Sequence, residues 1–195
     1  MPSQYSFKVF LSHAEEDYPL VYRIWSILSR LKVASYMHEL YPDYRRDIPT
    51  GIRAVLRNCA MCVTFLTKNG INSQWVQQEL GLAYAFNRII VPVIETGVQY
   101  KGFVQMVRRI PFEPADPEQM IYQVIYAVRT HIVGYNEVAR GITLTCANHH
   151  EHDYTLPSNH DLNEAIRIGH VYVFKCLTCE SSMELNPKTL EIRQY

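Results

Sequence analysis

The sequence predicts an α/β fold: a five-stranded parallel sheet with helices on both faces, followed by a small β-rich C-terminal domain. Three observations predict it. Strand-like and helix-like segments alternate from Phe7 to Ile132, the pattern of a parallel sheet, where each strand needs a crossover helix before the next. Two of the strand-like segments, Ala60–Thr67 and Ile89–Ile94, are continuous apolar runs, as expected of strands covered on both faces. Composition then shifts near Val133–Gly134. Residues 1–133 carry 14 Lys+Arg against 11 Asp+Glu, whereas residues 134–195 carry 5 against 8 and hold five of the eight His and three of the five Cys. The expected domains are therefore 1–133 and 134–195.

Each element has its own signal. Phe7–Leu11 is a short β-rich run, and Ser12–Asp17 follows as a polar loop. Asp17 is suited to cap a helix that tolerates Pro19 in its first turn, and Leu20, Ile24, Ile27, Leu28 and Leu31 keep helical spacing. Val33–Met37 is a second strand, His38–Thr50 a long polar loop, and a helix runs from there to about Asn58. Ala60–Thr67 is the third strand. Ser73 caps a helix reaching about Asn87, with Val76, Leu80 and Ala83 as its core stripe. Ile89–Ile94 and Ile110–Phe112 are the fourth and fifth strands, and Pro117–Ile132 closes the unit as a helix. In the C-terminal segment, Ile142–Thr145 and Val171–Lys175 are β-rich, and Met183–Ile192 has the pattern of a hairpin.

Composition excludes several classes of function. Apolar residues make up 48% and charged residues 19%, a core-forming balance and not a disordered one. Nineteen Lys+Arg equal nineteen Asp+Glu, so the basic surplus that a general nucleic-acid binder uses to displace counterions is missing. The apolar runs are far shorter than the roughly 20 residues that span a bilayer, and Met1–Lys8 is not a basic-then-apolar leader. Five Cys without such a leader point to reduced thiols. The expectation is a soluble cytoplasmic protein with neither a membrane nor a nucleic acid as partner.

Ligands of parallel sheets bind beyond the carboxyl ends of the strands, which directs attention to the loops after the first three. On the helix from Ser73, Trp75 and Glu79 are four apart and stack along one edge. That pair is either a nucleotide pocket or a half-buried indole at the helix–sheet junction beside a solvated carboxylate.

The C-terminal segment holds Cys146-Ala-Asn-His149 and Cys176-Leu-Thr-Cys179, separated by 26 residues. Two short knuckles far apart in sequence are what a tetrahedral Zn2+ ribbon requires. The expected ligands are Cys146, His149, Cys176 and Cys179, with His150 or His152 as substitutes for His149. Roughly sixty residues make a small core, so a structural metal suits the segment; the alternative is a loose extension with incidental thiols. Its expected role is to brace the first domain or to mediate subunit contacts. Cys59-Ala-Met-Cys62 has the same spacing but lies at a helix end and within the buried third strand, where thiols pack as small hydrophobes and are inert.

Lys8-Val-Phe-Leu-Ser-His-Ala-Glu-Glu-Asp17 resembles the first signature box of Toll/interleukin-receptor (TIR) domains. Phe65-Leu-Thr-Lys-Asn-Gly-Ile-Asn-Ser-Gln-Trp-Val-Gln-Gln-Glu-Leu-Gly81 resembles the segment carrying the TIR Trp-x-x-x-Glu motif, and Ile89–Ile94 the strand after it. The resemblance runs in order from about Phe7 to Ile132 and is nearest to microbial, NAD-cleaving members. It implies a flavodoxin-like sheet and cleavage of the nicotinamide–ribose bond of NAD+ by Glu79, giving ADP-ribose or a cyclic ADP-ribose isomer. The chemistry suits one carboxylate. Nicotinamide leaves a cationic pyridinium as a neutral molecule and needs no acid, unlike most glycosidic leaving groups.

By the same resemblance, Trp75 stacks on a ring of the nucleotide, and Phe10, Ser12 and His13 line the pocket. His13 could equally face water. Tyr44, Arg45 and Arg46, in the place of the family's BB loop, contact the diphosphate or a neighbouring subunit, or form a solvated charge cluster. The resemblance further implies self-association, a separate sensor or effector protein, and a role in microbial immune signalling or antiviral defence. Two other readings remain: a non-catalytic scaffold acting by self-association, and a nucleoside deoxyribosyltransferase-like enzyme.

Overall fold

The computed structural model describes residues 7–40, 48–133, 141–157 and 159–195. Strands β1 (Lys8–Ser12), β2 (Ala34–Tyr36), β3 (Met61–Leu66), β4 (Ile89–Glu95) and β5 (Ile110–Phe112) form one sheet in the order β2-β1-β3-β4-β5. Every pairing in it is parallel. This is the expected flavodoxin-like winding, in which the order reverses beside β1 and β3 and opens a crevice at their carboxyl ends.

Alternation along the strands assigns side chains to the two faces. Val9, Leu11, Met61, Val63, Phe65, Val91 and Val93 pack with α1 (Tyr18–Arg30) and α4 (Pro117–Val133). Phe10 and Cys62 meet α2 (Ile48–Asn58), and Leu66 and Ile94 meet α3 (Gln74–Ala85). β3 is buried at all six positions, which accounts for its unbroken apolar run.

Two local expectations change. Asp17 does not cap α1: it has helical backbone angles and closes a short 3-10 turn, Glu15–Asp17. Its carboxylate instead accepts hydrogen bonds from Thr67 Oγ1 at 2.6 Å and Asn69 Nδ2 at 3.3 Å, tying the loop after β1 to the loop after β3. The loop from His38 is shorter than expected, because His38–Leu40 forms a 3-10 turn and α2 begins at Ile48, with Pro49 in its first turn. Tyr44, Arg45 and Arg46 lie outside the described residues.

The turn after β3 depends on a glycine. A Cβ at Gly70 would sit 2.0 Å from the Phe65 carbonyl oxygen, and the Gly70 N–H donates to Thr67 Oγ1 at 2.9 Å. Ser73 then caps α3 as expected, accepting from the Val76 N–H at 3.4 Å.

In the C-terminal segment, β6 (Gly141–Thr145) and β7 (Glu151–Thr155) pair antiparallel, and α5 (Asn159–Ile168) follows. Strands β8 (Tyr172–Lys175), β9 (Ser182–Leu185) and β10 (Ile192–Gln194) form an antiparallel sheet in the order β10-β9-β8. β7 and α5 are not among the elements expected from sequence. Ile142, Leu144, Leu156, Leu162, Met183, Leu185 and Leu190 belong to the same apolar cluster as α1 and α4. Around it, Arg23 on α1 holds Glu191 through both Nε, at 3.0 Å, and Nη2, at 2.8 Å, and Lys32 Nζ meets Asp153 at 2.5 Å. Exposed pairs of this kind contribute little; the shared apolar burial contributes more. Among the described residues, no helix is long and apolar enough to cross a membrane.

Candidate functional site

β1 and β3 are neighbours and parallel, so the loops that follow them open at the same end of the sheet. α3 starts from that end, and its Val76, Leu80 and Ala83 face the core with Glu79 buried among them at 6% exposure. Of the two arrangements open at the sequence level, the solvated carboxylate is therefore not the one found. Glu79 Oε2 accepts a 2.6 Å hydrogen bond from Ser12 Oγ at the end of β1. Burial pushes the Glu79 carboxyl up to about 7; Ser12 opposes the shift by stabilising the anion, and the negative charge of Glu39 adds to it.

Glu79 and the half-exposed Trp75 line a cavity of about 370 Å3 together with His13, His38, Glu39 and Ile52. The volume is in the range of about 300–1,000 Å3 common to small-molecule sites. His13 does not face water: its side chain is 2% exposed, its Nδ1 meets the Leu11 carbonyl at 3.0 Å, and its Nε2 lies 3.3 Å from Glu39 Oε1. Phe10 is placed behind the cavity and not on its wall. Its buried ring stacks on Tyr36 at 5.3 Å and packs with Ile52, Leu56 and Cys62. Sequence reasoning passed over Glu39. The available signal was its position just after β2, at the carboxyl end of the sheet.

Cys59 and Cys62 are buried, and burial pushes their thiols up to about 11 and about 12. They are packing residues with no thiolate to offer.

The second group of interest joins the turns β6–β7 and β8–β9. The ligand atoms of Cys146, His150, Cys176 and Cys179 all lie within 4.8 Å of one another. Cys146 Sγ is 3.7 Å from Cys179 Sγ and 3.6 Å from His150 Nδ1, and Cys176 Sγ is 3.8 Å from His150 Nδ1. A tetrahedron with metal–sulfur arms of about 2.3 Å has edges of about 3.8 Å, close to these three separations, so this group could hold a metal ion. The surroundings fit as well. The Thr178 N–H donates to Cys176 Sγ at 3.4 Å and Asn148 Nδ2 to Cys179 Sγ at 3.3 Å, and hydrogen bonds from Ser181 and Asn148 lower the Cys179 thiol to about 5.

The imidazole in this group is that of His150, not His149. The backbone supplies the reason. His149 has a positive φ of 61° and its N–H bonds the Cys146 carbonyl at 2.9 Å. It is consumed in turning the chain, and the next residue is the one aimed back at the thiols. His152 meets Thr178 Oγ1 at 3.0 Å instead.

A family model described as TIR domain matches residues 9–121. Among solved structures, the chain is similar to the TIR domain of the Toll-related receptor TRR-2 from Hydra magnipapillata, at 11% identity and a TM-score of 0.54, over 62% of this chain and 97% of that one. The TIR domains of the activated Roq1 resistosome, which recognises the pathogen effector XopQ, match at 24% identity over 47% of this chain and 58% of that one, with a TM-score of 0.43. The CMP N-glycosidase BcmB of Clostridium botulinum matches at 14% identity over 54% and 88%, with a TM-score of 0.42. The first likeness is one of fold. A comparison with curated proteins returns no match.

Proposed function

This chain belongs to the TIR-domain family, and on that premise we propose that it cleaves the nicotinamide–ribose bond of NAD+, with Glu79 as the catalytic carboxylate. The observation that carries the reading is the burial of Glu79 against Ser12 in the wall of a cavity that also presents an indole.

The neutral leaving group removes the need for a proton donor, and the remaining task is to stabilise an oxocarbenium-like ribose. An ionised carboxylate does this by its charge and by accepting from the ribose hydroxyls, in a low-dielectric wall where the effect is large. The Ser12 hydroxyl holds one oxygen of Glu79 and favours the charged form. The cationic pyridinium favours it further when substrate binds. Trp75 offers an aromatic face to a ring of the nucleotide.

A purely structural role is poorly matched to this carboxylate. A Glu held near pH 7 by burial is costly wherever it must ionise, and a scaffold that works only by self-association has no use for that cost. Self-association enters the proposal as a condition of turnover, with consumption of NAD+ as the output of an immune or defensive signal.

In the C-terminal segment we assign Cys146, His150, Cys176 and Cys179 to Zn2+. All four positions of the tetrahedron are protein ligands, so the ion has no open position and would crosslink the β6–β7 turn to the β8–β9 turn. No chemical step passes through it.

The deciding experiment incubates purified protein with NAD+ and follows nicotinamide release and the ribosyl product by chromatography. Wild type is expected to consume NAD+, and Glu79→Ala to lose about 100-fold or more. Specific activity should rise with protein concentration. Equal rates for wild type and Glu79→Ala would reject the assignment.

A further inference from the structure

The C-terminal segment carries 5 Lys+Arg against 8 Asp+Glu, yet these charges are placed unevenly. Three of the acids are held in ion pairs: Asp153 by Lys32, Glu191 by Arg23 and Glu164 by Arg167. Among the described residues, the segment's other cations are Lys175, Lys188 and Arg193, and none of them has a carboxylate at ion-pair distance. All three border the outer face of the β10-β9-β8 sheet. Tyr172, Phe174, Leu185 and Ile192 turn inward to the apolar cluster, so alternation sends Val173, Lys175, Glu184 and Arg193 outward. Tyr195 joins them, donating through its hydroxyl to Glu184 Oε2 at 3.0 Å. Lys188 and Arg193 edge a cavity of about 320 Å3 between this face and the end of α5, with His170, Val171 and Asn186. Val173 and Tyr195 are 57% and 67% exposed.

We infer that this face binds single-stranded nucleic acid. Each outer strand presents a cation two residues from an exposed apolar or aromatic side chain: Lys175 from Val173 on β8, and Arg193 from Tyr195 at β10. A phosphodiester chain meets such cations with one negative charge per nucleotide, and its unpaired bases offer flat faces to the tyrosine ring. Neighbouring strands lie about 4.8 Å apart, which sets β8 and β10 roughly 10 Å from each other, so their cations engage separate phosphates and not one small anion. The cavity adds a recess beside two of the cations, which a base fills and a bilayer surface does not enter. A duplex hides its base faces in the stack. Glu184 opposes an anion, but the Tyr195 hydroxyl bonds it and orients the ring across the face. A tally of the segment's charge points away from nucleic acid because it counts as free the acids that Lys32 and Arg23 neutralise. Neither Glu79 nor cleavage of NAD+ enters this binding.

Fluorescence anisotropy of the full chain with fluorescein-labelled oligouridylate and oligothymidylate of about 12 nucleotides tests the binding. Both are expected to bind with Kd of about 1–100 µM at about 100 mM salt. Affinity should fall about 20-fold between about 50 and 200 mM salt, a log–log slope of about −2 for three cations. Lys175→Gln combined with Arg193→Gln should weaken binding about tenfold and reduce the slope to about −0.7. Tyr195→Ala should weaken it about fivefold or more, whereas Tyr195→Phe, which keeps the ring, should stay within about threefold of wild type. Glu184→Gln removes the opposing charge and should strengthen binding about twofold. Lys175, Arg193 and Tyr195 are exposed, so these changes leave the fold intact. No binding at about 100 µM protein, an affinity and slope unmoved by the double glutamine variant, or a duplex of the same length bound as tightly as the single strands would overturn the inference. So would binding to phosphatidylserine vesicles in place of the oligonucleotides.

Discussion

Ser12 Oγ lies 2.6 Å from Glu79 Oε2, a bond between residues 67 positions apart that joins the end of β1 to the middle of α3. The hydroxyl donates and the carboxylate accepts, so the contact favours the ionised acid against the burial that disfavours it. The balance leaves Glu79 near pH 7, where a modest change in surroundings switches its charge.

That balance sets a pH profile. The proposed reaction needs ionised Glu79, so kcat/KM for NAD+ is expected to rise through about pH 7 and level off above it. Ser12→Ala removes the donor that lowers the pKa and should move the midpoint upward. Glu39→Gln removes the charge that raises it and should move the midpoint downward. Initial rates from about pH 5 to 9 test all three; midpoints unmoved by both substitutions would contradict the arrangement.

The same group governs stability. Glu79 binds its proton more tightly folded than unfolded, so its stabilising contribution is complete below the ordinary value of 4.5 and is lost as pH rises through about 7. Glutamine does not titrate and still accepts from Ser12. Relative to wild type, Glu79→Gln should therefore gain stability across that window, by an amount of about 3 kcal/mol once both pKa values are passed. Denaturant melts at pH 4 and pH 8 measure it, and an equal difference at both would show that the carboxyl is not held as described.

Metal binding distinguishes adjacent histidines. Elemental analysis of purified protein should find about one zinc per chain, reduced to a small fraction by Cys176→Ser or His150→Ala and retained by His149→Ala. The His149 result carries the most information, because its positive φ and its bond to the Cys146 carbonyl assign it to the turn.

Removing the metal should also be felt across the chain. The apolar residues of the C-terminal segment share one cluster with α1 and α4, so a strong chelator is expected to lower a single unfolding transition by several degrees. Two separated transitions by calorimetry, with the upper one indifferent to chelator, would show that the segment melts independently of the parallel sheet.

Much of the fold was legible in the residue pattern, for identifiable reasons. β3 and β4 are covered on both faces, and their continuous apolar runs announce it. The Val76–Leu80–Ala83 stripe located the core face of α3. β7 and α5 were illegible by the same logic. Glu151–Thr155 has no fully buried position and no apolar alternation. In α5, Leu162 and Ala165 are buried among polar neighbours, too few to mark a helical stripe. Asp17 looked like a cap because its residue type suits one, yet a partner 50 positions away, Thr67, competes for its carboxylate.

The sequence by itself determined where the strands run, which helix carries Trp75 and Glu79, and which cysteines gather, because burial and short-range spacing leave their mark along the chain. Only the tertiary structure decided that Glu79 is desolvated and hydrogen-bonded by Ser12, that Glu39 confronts His13, and that His150 joins the thiols in place of its neighbour. Proton affinity and ligand geometry depend on distances of a few ångströms between atoms remote in sequence, and on the sign of one backbone dihedral, neither of which a pattern of residue types records.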